Sequence, residues 1–178
     1  MSANKGGAGR TSAPTDQSTV PIRLRPAKES DLPALVPLLL RLKRLNEEFD
    51  PLLKVREDAE QQARQILKSD IPNPKSVVLV AEGTGADRDK VVGFVRANVR
   101  ERPFYAPVDE GVILDIYLLP LYRRRGVGEH VLAETSAALK AKGAGIVTAE
   151  FPAQNEIASR FYTKRGFRPI IAIQARSL

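Results

Sequence analysis

The residues with the clearest chemical potential form the segment 122–129, which reads YRRRGVGE. It separates an apolar stretch, typical of a buried strand, from a stretch with helical periodicity. A helix start has free backbone N–H groups and the positive end of the helix dipole, so it can bind a phosphate. Gly126 and Gly128 let a diphosphate approach the backbone where a Cβ would collide. The segment therefore predicts a diphosphate site, to which Arg123, Arg124 and Arg125 add positive charge.

The alternative is a simple strand-to-helix turn with surface arginines, because a glycine pair alone is a weak signal. The sequence contains neither the Gly-x-Gly-x-x-Gly pattern of dinucleotide-binding folds nor the Gly-x-x-x-x-Gly-Lys-Ser/Thr pattern of nucleoside triphosphatases.

A second residue with chemical potential is Asp115, an acidic residue inside the otherwise apolar segment 111–119. A carboxylate there is either catalytic or a buried group satisfied by the backbone or an arginine.

The elements that position these residues follow from hydrophobic periodicity and from turn residues. The predicted order is β-α-α-β-β-β-α-β-α-β, which is a mixed α/β sheet flanked by helices and not a regularly alternating βαβ fold. The predicted strands cover residues 20–24, 76–82, 90–100, 110–119, 146–151 and 167–173. The predicted helices begin near residues 32, 56, 127 and 155.

Composition limits the function classes. The chain has 178 residues, no cysteine and one histidine, so thiolate chemistry and most histidine-based metal or triad chemistry are excluded, and no metal is expected. Residues 1–19 are polar and predict a flexible tail without a signal peptide, followed by a single domain over residues 20–178. The absence of cysteine fits a cytoplasmic protein. No apolar run approaches the roughly 18 residues that a membrane span needs.

The stretch 114–132, LDIYLLPLYRRRGVGEHVL, resembles the central acetyl-CoA motif of the GCN5-related N-acetyltransferase (GNAT) family, with Arg123-x-x-Gly126-x-Gly128 as its diphosphate signature. Residues 155–167 are similar to that family's later N-x-x-A-x-x-x-Y-x-x-x-G-F motif. The resemblance spans about residues 20–178. It implies the GNAT fold, with acetyl-CoA as co-substrate and transfer of its acetyl group to an amine.

The resemblance also implies a cofactor site. In this family the central strand and the next one separate at a bulge, where the pantetheine arm pairs with exposed backbone. The implied pantetheine contacts are the backbone of Ile116, Tyr117 and Leu118, together with Asn155 on the following helix. The implied diphosphate contacts are the backbone groups of Arg124, Arg125, Gly126, Val127, Gly128 and Glu129.

For catalysis, the resemblance implies that Tyr162 protonates the departing CoA thiolate. A phenol remains protonated at neutral pH and can act in this way, although a core aromatic beside Phe161 is the alternative. A carboxylate must accept the proton of the attacking amine, and both Glu150 and Asp115 are candidates. The family's polyamine-type glutamate position is occupied by Leu114.

Three functions compete at this stage. Direct transfer of the acetyl group in a ternary complex leads, and the absence of cysteine argues against a route through a thiol acyl-enzyme. A non-catalytic acyl-CoA-binding module is the second. A nucleic-acid-binding domain ranks last, although the net charge of +7 favours polyanionic partners. The acceptor can be a small-molecule amine, a peptide N-terminus or a lysine. The sequence also leaves open whether the chain forms a homodimer.

Overall fold

A computed structural model of the chain describes residues 21–123 and 126–178. The predicted tail of residues 1–19 lies outside these ranges, as do Arg124 and Arg125. None of the helices within the described ranges is long and apolar enough to cross a membrane. The strands are β1 (Ile22–Pro26), β2 (Ser76–Gly83), β3 (Val91–Glu101), β4 (Asp109–Leu118) and β5 (Ile146–Ala149). The helices are α1 (Leu32–Glu47), α2 (Ala59–Asp70), α3 (Val127–Ala141) and α4 (Glu156–Thr163).

The strands form one mixed sheet, as the sequence predicts. They lie in the order β1-β2-β3-β4-β5, with antiparallel pairing from β1 to β4 and parallel pairing between β4 and β5. The parallel pair requires a crossover, and α3 provides it. The fold is therefore the α/β arrangement that the periodicity indicates.

A hydrophobic core lies on each face of the sheet. Helices α1 and α2 cover one face, where Leu35 and Leu67 pack in the same buried cluster as Phe94 of β3. On the opposite face, Val127 and Leu139 of α3 pack with Ile113 of β4. Because β3 and β4 are covered on both faces, apolar side chains point to both sides of these strands, as in Phe94–Val95 of β3 and Val112–Ile113 of β4.

The predicted strand over residues 167–173 is wrong. Regular secondary structure ends at Thr163, and residues 168–178 are exposed without strand pairing in the described part of the chain. A strand needs a partner backbone, which a pattern of apolar residues cannot supply. Strand β5 is also shorter than predicted and ends at Ala149, before Phe151 and Pro152.

Candidate active site

The central feature of the site is the separation of β4 from β5. Asp115 is paired with Arg96 of β3 while Ile113 is paired with Ala97, so Leu114 is an extra residue and forms a bulge. The parallel pairing of β4 with β5 ends at Ile113 and Ala149, where Glu150 donates its backbone N–H to the Ile113 oxygen at 2.9 Å. From the bulge to its end, β4 therefore pairs with β3 on one side and with no described strand on the other.

The predicted pantetheine residues Ile116, Tyr117 and Leu118 lie on this unpaired stretch. Tyr117 is buried on the α1 and α2 face, and its hydroxyl has no hydrogen-bond partner among the described residues. Its side chain therefore faces the protein, so only backbone remains available at the open edge. The Leu118 carbonyl accepts a hydrogen bond from the Arg123 Nε at 2.9 Å.

Arg123 connects the end of β4 to the following loop. Besides its bond to Leu118, its guanidinium lies over the Tyr117 ring, 5.3 Å from the centroid. Both contacts are made within the protein, which gives Arg123 a positioning role that its sequence context did not indicate. Arg124 and Arg125, predicted beside it, lie outside the described residues.

The first turn of α3 follows directly. Gly126 is the residue before the helix and has φ of 85°, a left-handed conformation that strongly favours glycine. The N–H groups of Val127, Gly128 and Glu129 lie in the first turn, where a helix cannot pair them internally. A helix N-terminus of this kind attracts anions. The predicted diphosphate residues that are described thus lie together at one helix start.

Gly128 has a role that the sequence did not reveal. A Cβ at this position would lie 2.6 Å from Phe161 Cε2, closer than van der Waals contact permits. Gly128 therefore lets the start of α3 pack against α4. Arg165 reinforces this contact, since it stacks on Phe161 at 3.8 Å and forms an ion pair with Glu129.

Tyr162, the predicted acid, lies in a cluster of aromatic rings. Its ring stacks on Phe151 at 5.4 Å between centroids and contacts Phe161 and Phe167, both at 5.1 Å. Burial raises the pKa of Tyr162 to about 12. No described residue forms a hydrogen bond with its hydroxyl. Tyr162 is therefore both a core aromatic, which the sequence offered as an alternative, and a protonated phenol near the end of β5.

Asn155, the predicted cofactor contact, is the N-cap of α4. Its Oδ1 accepts a hydrogen bond from the backbone N–H of Ala158 at 3.0 Å. Asparagine is among the preferred N-cap residues because it satisfies an unpaired amide of the first turn. The side-chain amide N–H groups of Asn155 have no partner among the described residues and remain available for a ligand.

Asp115, one candidate base, is completely buried and has two cationic partners. Lys43 of α1 contacts one carboxylate oxygen at 2.5 Å, and Arg96 Nε contacts the other at 2.7 Å. Arg96 also forms an ion pair with Asp70 of α2 at 3.0 Å. These contacts match the second interpretation of Asp115, a buried carboxylate whose partners satisfy it.

Glu150, the other candidate base, follows the end of β5 and has a side chain that is 49% exposed. Its carboxylate accepts a hydrogen bond from Arg100 at 2.9 Å, and Arg100 also contacts the buried Glu110 at 2.9 Å. Burial raises the pKa of Glu110, but hydrogen bonds from Arg100 and Thr148 outweigh it and hold this pKa below its ordinary value. Unlike Asp115, Glu150 remains open to water.

The structure brings most predicted residues to one place. Helix α4 joins the site, because Phe161 contacts the start of α3 while Tyr162 contacts Phe151 beyond β5. Sequence analysis missed the ion-paired partners Lys43, Arg96 and Arg100. The alternation of Arg96, Asn98 and Arg100 along an otherwise apolar strand was the available signal.

Comparison with known proteins agrees with this geometry. The family model described as the acetyltransferase (GNAT) family matches residues 41–167. A protein named uncharacterized N-acetyltransferase YhfO, from Bacillus subtilis strain 168, is 24% identical over 151 residues, covering 82% of this chain and 89% of that protein.

Two solved structures have the same fold. The tetramutant of the BH1408 protein from Bacillus halodurans superposes with a TM-score of 0.73 at 18% identity, covering 88% of this chain and 99% of that one. A predicted acetyltransferase from Clostridium acetobutylicum, crystallised with acetyl-CoA, has a TM-score of 0.69 at 16% identity, covering 88% and 96%. With the family model matching well over half of its length, the chain belongs to the acetyltransferase (GNAT) family and is an acyltransferase enzyme.

Proposed function

We propose that this enzyme transfers the acetyl group of acetyl-CoA to an amine while both substrates are bound. The observation that carries the proposal is the unpaired edge of β4 beyond the bulge at Leu114. A strand edge offers alternating N–H and C=O groups, and the amides of a pantetheine arm can pair with them as an added strand would. The backbone of Ile116, Tyr117 and Leu118 would make these contacts, with the Asn155 amide beside them.

The start of α3 would hold the diphosphate. Its first-turn N–H groups and the helix dipole favour a negatively charged ligand. Apart from its chain neighbours, no described residue lies within 4 Å of a Cβ placed on the left-handed Gly126. Arg124 and Arg125 would add positive charge to this end of the site. Anchoring the diphosphate here and the pantetheine on β4 directs the acyl end towards the bulge.

Acetyl-CoA supplies a thioester whose carbonyl carbon accepts the amine. The N–C bond forms and the C–S bond breaks, so the amine loses a proton and the thiolate gains one. Tyr162 is suited to protonate the thiolate, since its raised pKa keeps it neutral and its hydroxyl has no competing partner among the described residues. Backbone N–H groups of β4 on the bulge side of Leu118 would polarise the carbonyl.

Glu150 is the better-supported base. It is half-exposed, so a bound water can pass the amine proton to it, and Arg100 fixes one of its oxygens. Asp115 is less suited to this role, because Lys43 and Arg96 occupy both of its oxygens in a buried site. The chain has no cysteine to carry the acetyl group, which supports direct attack.

A thiol-release assay with an amine panel tests this proposal. The cysteine-free chain adds no background to a thiol reagent. The panel should include an aminoglycoside, a polyamine, a lysine peptide and peptides with free N-termini. Amine-dependent release that falls at least a hundredfold in Tyr162→Phe is the expected result. Release that is equal in the parent and in Tyr162→Phe would contradict the role of the phenol.

A further inference from the structure

The turn between β2 and β3, residues 84–90, lies next to the segment that connects β4 to α3, residues 119–126. Strand β3 is antiparallel to both β2 and β4, and Gly93 of β3 is paired with Leu118 at the end of β4. The turn and the connecting segment therefore lie at the same end of the sheet. The connecting segment leads into the start of α3, where the proposed function places the cofactor diphosphate.

A side-chain hydrogen bond joins the turn to the connecting segment. The Tyr122 hydroxyl donates to the Asp87 carboxylate, and the two residues are 35 apart in sequence. Tyr122 is the last residue of a one-turn 3₁₀ helix, Pro120–Tyr122, within the connecting segment. The bond therefore ties that helix to a different part of the fold.

Asp87 is held by a second contact on its other oxygen. Lys90 Nζ contacts Asp87 Oδ1 at 2.8 Å, while the Tyr122 hydroxyl contacts Oδ2. Hydrogen bonds from Lys90 and Tyr122 hold the pKa of Asp87 below its ordinary value of 3.8, so the carboxylate is charged at neutral pH. A charged acceptor forms a stronger hydrogen bond than a neutral one.

The turn that carries Asp87 is fixed to the sheet. The backbone N–H of Gly83 donates to the Lys90 oxygen at 2.9 Å, and the N–H of Thr84 donates to the Pro21 oxygen at 3.1 Å. The turn also packs closely on β2, since a Cβ on Gly83 would lie 2.7 Å from the Asp87 carbonyl oxygen. The turn is therefore a fixed support from which Asp87 reaches the connecting segment.

We propose that Asp87 is a positioning residue for acetyl-CoA binding, which acts through Tyr122 to hold the connecting segment in the conformation that receives the diphosphate. The proposal rests on the proposed function, because it assigns a support to the same cofactor site. Arg123 supports the connecting segment from β4, through its bond to the Leu118 carbonyl. Asp87 supports it from the β2–β3 turn.

The charge of Asp87 and its hydrogen bond have opposite effects on cofactor binding, so they can be separated. An anion near a diphosphate site repels the ligand, and removal of the charge alone should strengthen binding. Removal of a support should weaken binding, because a segment that becomes ordered only on binding loses conformational entropy. Weaker binding in the absence of the Asp87 carboxylate therefore identifies positioning.

Calorimetric titration of the full chain with acetyl-CoA tests the proposal. We expect the Kd to rise about tenfold in Asp87→Ala and in Tyr122→Phe, the order expected for loss of a hydrogen bond to a charged group. The double variant should bind no more weakly than either single variant, because all three lose the same bond. In Asp87→Asn the amide oxygen can still accept from Tyr122, so the Kd should return towards the parent value. Equal or tighter binding in Asp87→Ala, or additive losses in the double variant, would overturn the proposal.

Asp89→Asn is the matched control. Asp89 lies in the same turn with a φ of 66°, a left-handed conformation that asparagine tolerates, and the substitution removes the same charge. Its Kd for acetyl-CoA should equal that of the parent or be lower. A rise as large as that in Asp87→Ala would show that the loss of any carboxylate in the turn is sufficient, and would overturn the role of Asp87.

Steady-state kinetics separates positioning from a general loss of structure. In Asp87→Ala the KM for acetyl-CoA should rise, while kcat at saturating acetyl-CoA, the KM for the amine and the melting temperature stay near the parent values. A lower kcat with an unchanged KM for acetyl-CoA would overturn the proposal. A parent that binds no acetyl-CoA would overturn the proposed function together with this proposal, whereas unchanged binding in Asp87→Ala overturns this proposal alone.

Discussion

The rings of Phe151 and Tyr162 stack nearly parallel, with centroids 5.4 Å apart and planes 12° from parallel. This pair joins the end of β5 to α4, and so holds the proposed acid next to the point where β4 loses its parallel partner. The hydroxyl and the ring of Tyr162 therefore have separable roles. The ring belongs to the core, and the hydroxyl is the group that we propose as the acid.

We expect Tyr162→Phe to keep the fold and lose activity. The three aromatic contacts of the ring remain, so the melting temperature should change little. Loss of the phenolic proton should lower kcat by a factor of about 10² to 10⁴. Thiol-release kinetics and thermal unfolding measure the two effects.

Tyr162→Leu is the control for the ring. It removes the stacking partner of Phe151, and we expect a marked loss of stability in addition to the loss of activity. A melting temperature equal to that of the parent would show that the aromatic cluster does not support this part of the fold.

Substitution of each candidate base should show which of the two accepts the proton. Asp115→Asn leaves Lys43 and Arg96 without their shared anion and should cost about 3–5 kcal/mol of folding stability, as breaking a buried ion pair does. Its kcat, measured where the variant is still folded, should stay near that of the parent. Glu150→Gln should lower kcat at high substrate with little change in stability. The opposite pattern would assign the base to Asp115.

The contact between Gly128 and Phe161 predicts a coupled pair of substitutions. Gly128→Ala places a methyl group 2.6 Å from Phe161 Cε2 and should cost about 1–3 kcal/mol through overpacking. In Phe161→Leu the ring is absent, so the added methyl should cost much less. Denaturant unfolding of the parent, both single variants and the double variant measures this coupling. Additive effects would mean that the two residues do not meet.

Acid stability should depend on Glu82 of β2. Hydrogen bonds from Arg23 at 2.6 Å and Arg25 at 2.5 Å hold the pKa of this buried carboxyl below its ordinary value of 4.5. A lowered folded pKa stabilises the fold above the unfolded value, and this contribution is lost as pH falls through the folded pKa. The free energy of unfolding should therefore fall below about pH 4.5, and less steeply in Glu82→Gln.

The exposed Glu60 provides the control, since Glu60→Gln should keep the pH dependence of the parent. Unfolding by denaturant at pH 7, 5, 4 and 3 measures all three proteins. If the free energy of unfolding falls equally steeply with pH in the parent and in Glu82→Gln, the role assigned to Glu82 is contradicted.

Local sequence patterns predicted most of the fold. The spacing of apolar residues in β2 to β4, and in α1 and α3, matches the faces that these elements bury in the two cores. The features that the sequence could not predict depend on distant segments. Residues 167–173 have a strand pattern but no partner strand among the residues that the structure describes. Asp115 obtains its partners from α1 and β3, and Lys43 is 72 residues away in sequence. The contact of Gly128 with Phe161 likewise depends on how two helices pack.

The most direct test of the proposed acetyl-CoA site is thermal unfolding with and without acetyl-CoA in the parent, Gly126→Glu and Gly126→Gln. Both substitutions impose the same left-handed backbone strain, and only one adds a negative charge at the start of α3. Ligand at about 100 times its Kd should stabilise the parent by about 2.7 kcal/mol, a shift on the order of 5–10 °C. We predict that acetyl-CoA does not shift the melting temperature of Gly126→Glu. The shift in Gly126→Gln should be larger than that in Gly126→Glu. No shift in the parent at millimolar acetyl-CoA, or an equal shift in all three proteins, would contradict a cofactor site at this helix.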